Sequence, residues 1–133
     1  MGIRLASTMR LKGAVGKGHI INSEGVTDGD TWGKRATWVD YYGPVEDQVV
    51  GVAIFDHPSN PQHPTWWHVR DYGLFAVNPF GVHDFEKGKP AGAGDFKIPA
   101  GQSATFKYRF YFHKGDQIQG KVAEHYSQYA ATK

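Results

Sequence analysis

The stretch DHPSNPQHPTWWHVRDYG (56–73) gathers three histidines, two adjacent tryptophans and an Arg-Asp pair. Imidazole titrates near neutral pH and is a common ligand of transition metals. An indole ring offers the C–H face of a sugar an apolar plate, and guanidinium and carboxylate groups exchange hydrogen bonds with hydroxyls. The stretch therefore supports two chemistries: a metal site built on His57, His63 and His68, and a carbohydrate-binding face. Pro58, Pro61 and Pro64 recur at the repeat of a polyproline II helix. That conformation places His57, Asn60 and His63 along one edge and separates the two histidines by roughly 19 Å. Ligands of one ion must converge to about 2 Å from it, so a shared metal requires the loop to bend sharply.

In WWHVR (66–70), period-two alternation puts Trp66, His68 and Arg70 on one face and assigns Trp67 and Val69 to the core. Asp71 follows Arg70, whose charge favours the carboxylate and makes Asp71 an orienter rather than a base. Asp56 beside His57 and Glu86 near His83 are histidine-carboxylate pairs of the kind that moves protons at neutral pH. The turn NPFG (78–81), with Asn78 biased to an extended conformation by Pro79, returns the chain toward His83. The candidate catalytic set is thus His68 and His83 as acid-base groups with Asp71 as orienter, and Trp66, Arg70, His57, His63 and Asn78 bind the ligand. Trp32 and Arg35 in WGKR (32–35) either line a groove rim or cover a sheet edge; His19, His113 and His125 stand alone and read as structural.

The elements that must position these groups read as strands. Seventeen glycines, seven prolines, four Trp, seven Tyr and eight Phe in 133 residues indicate many short strands and tight turns. Strands are predicted over GIRLASTM (2–9), HIINS (19–23), WWHVR, GLFAV (73–77) and QSATFKYRFYFH (102–113). KRATWVDYYG (34–43) and DQVVGVAIF (47–55) form a hairpin through a Gly-Pro turn. In the last strand Phe106, Tyr108, Phe110 and Phe112 share one face, with Lys107, Arg109 and Tyr111 on the other. Over 117–130 the period changes: Ile118, Val122, His125, Tyr126 and Tyr129 fall on one side of a helix, with Asp116 as its N-cap. The expectation is one domain over 1–133, an all-β antiparallel β-sandwich closed by one C-terminal helix. The segment 84–95 has the least apolar side chain to hold it.

Charge and composition exclude other classes. Fifteen basic against thirteen acidic residues leave a net charge of +2, with no cluster suited to nucleic acid. No apolar run approaches the ~20 residues a membrane helix needs. Without cysteine there is neither a disulfide nor a thiolate. The first ten residues lack the apolar core of a signal peptide. Phosphate-binding loops, nucleophile elbows and dinucleotide fingerprints are missing.

The segments NSEG (22–25), WGKRATWVDYYGPV (32–45), VGVAIFDHPSNPQHPTWWHVRDYGLFAVNPFG (50–81) and IPAGQSATFKYRFYFHKGD (98–116) resemble the bacterial family labelled PmoA, or methane oxygenase PmoA-type. The resemblance spans almost the whole chain and implies that it corresponds to the C-terminal half of family members, some of them exported. The turn IPAGQS before an aromatic strand is similar to the final strands of galactose-mutarotase-like sandwiches, which implies carbohydrate handling. The family label implies instead a mononuclear copper or iron oxidoreductase in which three of the histidines hold the ion. A third expectation is a non-catalytic half-domain that self-associates as a homodimer through an unpaired sheet edge.

Overall fold

The computed structural model describes residues 1–133. Its strands are β1 (Gly2–Arg4), β2 (His19–Asn22), β3 (Trp38–Val45), β4 (Gln48–Asp56), β5 (Trp67–Val69), β6 (Leu74–Val77) and β7 (Tyr108–Lys114). Two helices accompany them, the short α1 (Val82–Phe85) and the terminal α2 (Val122–Ala130). The strands make two antiparallel sheets, one ordered β1-β6-β5 and the other β2-β3-β4-β7. Alternation along each strand supplies the core between them: Ile20, Val39, Tyr41, Val52 and Ile54 from the larger sheet meet Trp67, Val69, Phe75 and Val77 from the smaller. The opposite face of the larger sheet is covered by α2, where Val122 and Tyr129 pack on Trp38, Ala53 and Phe55. No helix is long and apolar enough to cross a membrane.

Four expectations about elements are corrected. The first strand ends at Arg4 and the chain turns into a single 3-10 turn over Ser7–Met9. The β3-β4 hairpin closes at Glu46 and Asp47, since Val45 pairs with Gln48 and Glu46 adopts φ 53°. Pro44 lies within β3, opposite Val49 and beyond the last residue that β2 pairs, so its missing N–H costs no ladder bond. The ladder of the last strand starts only at Tyr108, although the alternation of faces holds. Helix α2 starts at Val122, because Lys121 is left-handed at φ 50°. Asp116 caps the preceding turn instead, its Oδ1 accepting from the N–H groups of Ile118 and Gln119 at 2.9 Å each. That break in register leaves Ile118 exposed.

Candidate functional site

The proline-rich corner after β4 is built around a carboxylate. Asp56 is fully buried; its Oδ1 accepts from Asn60 Nδ2 at 2.8 Å, and its Oδ2 accepts from the Thr65 N–H at 2.9 Å and His63 Nδ1 at 2.8 Å. Asn60 then acts as a backbone surrogate for the segment leading into β7. Its Nδ2 donates to the Lys107 carbonyl and its Oδ1 accepts the Lys107 N–H, both at 2.6 Å. The loop is a run of turns rather than polyproline II: the Asn60 N–H donates to the His57 carbonyl, the His63 N–H donates to the Asn60 carbonyl, and the His63-Pro64 bond is cis. The carboxylate thus wins over the proline repeat, because a buried charge must collect donors.

His57 points elsewhere. The Ser59 N–H donates to its Nδ1 at 3.1 Å, which leaves the proton on Nε2 to be donated to the Thr132 carbonyl at 3.0 Å. Its ring meets the edge of Tyr129 at 5.1 Å. Both nitrogens are committed, and the residue ties the end of α2 to the corner. The pairing expected between Asp56 and His57 is therefore replaced by Asp56 with His63.

On the outer face of the smaller sheet, Trp66, His68 and Arg70 do share a side, but Trp66 is covered. The Arg35 guanidinium lies 4.2 Å over its ring, and its Nε1 donates to Glu86 Oε1 at 2.9 Å. Arg35 is held there by the carbonyls of Pro64 and Gln62. His68 accepts from Trp32 Nε1 at 3.2 Å through Nδ1 and is flanked by Phe85. Burial, assisted by the Arg70 charge, holds its pKa below the usual histidine value and keeps the ring neutral.

Beyond His68 the surface opens. A cleft of about 400 Å³ is bounded by Lys12, Asp30, Trp32, Val69, Arg70 and Asp71. The Arg70 guanidinium lies 5.6 Å from the Trp32 ring and the same distance from Tyr72. Asp71 pairs with Lys12 Nζ at 2.6 Å rather than with Arg70. That hydrogen bond and charge hold the Asp71 carboxyl below its ordinary range. The cleft therefore presents an aromatic ring, two cations and two carboxylates to one volume.

The remaining candidates lie apart from it. Asn78 accepts the Phe80 N–H and shapes its own turn. His83 on α1 is exposed, with Nδ1 on the Lys89 carbonyl at 2.9 Å; the acid expected beside it, Glu86, pairs with Trp66 and Lys89 instead. The structure thus brings Arg70 and Asp71 together and adds Trp32, Lys12 and Asp30, while His57, His63, Trp66, Asn78 and His83 lie outside this cleft with partners of their own. Trp32 and Arg35 divide the two alternatives read for WGKR, the former lining the cleft and the latter covering a sheet edge.

The metal set fails on geometry. No three His, Asp or Glu side chains are grouped to hold an ion. His57, His63 and His68 each face a different partner, so the residues present do not fit a mononuclear copper or iron site. One histidine read as isolated is paired after all. His113 Nε2 lies 2.9 Å from Asp40 Oδ1 beneath the Gly120 backbone that leads into α2, with both side chains almost fully buried. Burial raises the Asp40 pKa against the lowering effect of His113. Burial alone would lower His113, but the hydrogen bond and charge of Asp40 outweigh it and raise the imidazole pKa. With 73 residues between the partners, no local pattern announces the pair.

No curated protein and no solved structure shows detectable similarity to the chain. The profile of one protein family matches residues 1–127, from β1 through most of α2. On that match the chain belongs to the family of unknown function DUF6807.

Proposed function

We propose that the protein is a carbohydrate-binding β-sandwich of the galactose-mutarotase-like kind, kin to the PmoA-labelled family, and that the cleft at Trp32 and Arg70 is where the sugar sits. The observation that carries this reading is the convergence of Trp32, Arg70, Lys12, Asp30 and Asp71 on one open cleft. An indole takes the C–H face of a pyranose, Arg70 donates to hydroxyl oxygens, and Asp30 and Asp71 accept from hydroxyl protons. Mixed charge in one cleft suits a neutral polyol better than an ion, because each hydroxyl both donates and accepts.

Binding is favoured over turnover. A general acid on a sugar needs a proton near neutral pH, yet Lys12 holds Asp71 ionised and burial holds His68 neutral. From the PmoA resemblance we take the architecture and not oxygen chemistry, since His57, His63 and His68 do not form a ligand set.

Calorimetric titration and thermal shift against a panel of mono- and oligosaccharides test the reading. A sugar at 100 times its Kd is expected to add about 2.7 kcal/mol of stability. Trp32→Ala should abolish binding, while His83→Ala, outside the cleft, should leave it intact. A panel that produces neither heat nor a thermal shift would reject the reading.

A further inference from the structure

β1 is the outermost strand of its sheet and pairs only with β6. The Leu5 N–H donates to the Gly73 carbonyl and the Val77 N–H donates to the Met1 carbonyl, both at 3.0 Å. In an antiparallel ladder these bonds recur at every second residue, so Met1, Ile3 and Leu5 face β6. The N–H and C=O groups of Gly2 and Arg4 therefore point to the open side. An edge of this kind is a template for another strand.

Beneath it runs an uncovered apolar face. β7 is the outermost strand of the larger sheet, and Phe110 and Phe112, paired opposite the core residues Ile54 and Val52, point inward with them. Phe112 is nevertheless 73% exposed. Met1 lines an apolar pocket of about 320 Å³ with Phe106 and Tyr108. Leu5 lines another of about 470 Å³ with Val50, Val52 and Phe112. The two pockets lie at opposite ends of β1, and with the half-buried Ile3 and Phe110 between them we read them as one groove along β1 above β7. Three strands lie over four, and the groove occupies the place of the fourth.

We propose that this groove takes one extended strand of a partner protein, hydrogen-bonded to Gly2 and Arg4, with alternate apolar side chains directed onto Phe110 and Phe112. The outward backbone groups specify a peptide rather than a lipid or a small apolar molecule, and their spacing specifies an extended one. Five residues from Met1 to Leu5 set the length of the contact at about 17 Å. Arg4 on the outer face and Lys114 at the rim of the larger pocket favour acidic residues on the solvent side of the incoming strand. A twofold β1-to-β1 pairing with a second copy is the other way to cover such an edge, and the last of the results below would reveal it. This surface lies at the β1 edge, opposite the sugar cleft at β5, and stands independently of it.

The test is amide hydrogen exchange by NMR on the whole chain with a synthetic peptide alternating valine and glutamate. Exchange at Gly2 and Arg4 is expected to slow roughly tenfold or more on binding, with shifts at Phe110 and Phe112. The same peptide methylated on every amide nitrogen should leave the spectrum unchanged, a control that needs no altered protein, and Phe112→Asp should lose the response. Three results would overturn the proposal: unchanged exchange at millimolar peptide, an equal response to the methylated peptide, or a doubled sedimentation mass with Gly2 and Arg4 already protected without peptide.

Discussion

The carboxylate of Asp56 accepts three hydrogen bonds inside its own corner, so removing it leaves the Asn60 amide, the Thr65 N–H and the His63 ring without that acceptor. Unmade bonds to buried groups cost about 1–3 kcal/mol each, and not additively. Asp56→Ala is therefore expected to lower stability by about 3 kcal/mol in urea denaturation, whereas His63→Ala, at the partly exposed margin of the same network, should cost about 1 kcal/mol. His68 supplies a pH dependence. Its folded pKa lies below the unfolded value of about 6.5, so the unfolded chain binds more protons in the interval between them. Stability must then rise with pH through that interval and fall as pH drops below about 6.5. A His68→Asn variant should show a flatter stability profile between about pH 5 and pH 7; an unchanged slope would place the proton uptake on another group. The residue types in 56–73 were legible as polar, aromatic and titratable. Which of them faced one another was not, because a buried carboxylate organised the corner and Trp32 arrived from a different part of the chain.

Helix α2 and the strands beneath it show what alternation alone leaves open. His113 fits between two backbones: a Cβ built on Gly51 or on Gly120 would collide with its ring. Gly120→Ala is expected to cost about 1–3 kcal/mol, measurable as a drop in the urea midpoint, because the ring that the new Cβ meets is held on its other side by the buried carboxylate of Asp40. The other end of α2 is held by His57 through the Thr132 carbonyl and by Tyr129 against Phe55. His57→Ala should accelerate amide exchange over residues 125–131 while leaving β3 and β4 protected. The 3.6-residue period found the helix, but not its start. Lys121 turns left-handed after a loop that Asp116 caps, and hydrogen bonds of that reach carry no periodic signal.

At the scale of the molecule, the two sheets bury one core and leave one side open along β1 and β7. Phe112 contributes little to that core. Phe112→Ser is expected to leave the stability of the free chain within about 0.5 kcal/mol while reducing the binding of an apolar dye; a large loss of stability would mean that the groove is already filled. Alternating faces, turn residues and the change of period over 117–130 were enough to show strands, an apolar core and a terminal helix, since each is dictated by neighbours along the chain. The same local patterns also separated Trp67 and Val69, which are buried, from His68 and Arg70, which are not. The cleft had to await the tertiary structure: Lys12 and Trp32 come from loops and Asp30 from a 3-10 turn over Asp28–Thr31, and their approach to Arg70 and Asp71 depends on how two sheets pack. So did the uneven strand count that exposes β7, because the order of strands in a sheet is fixed by contacts between distant segments and leaves no trace in the spacing of residues.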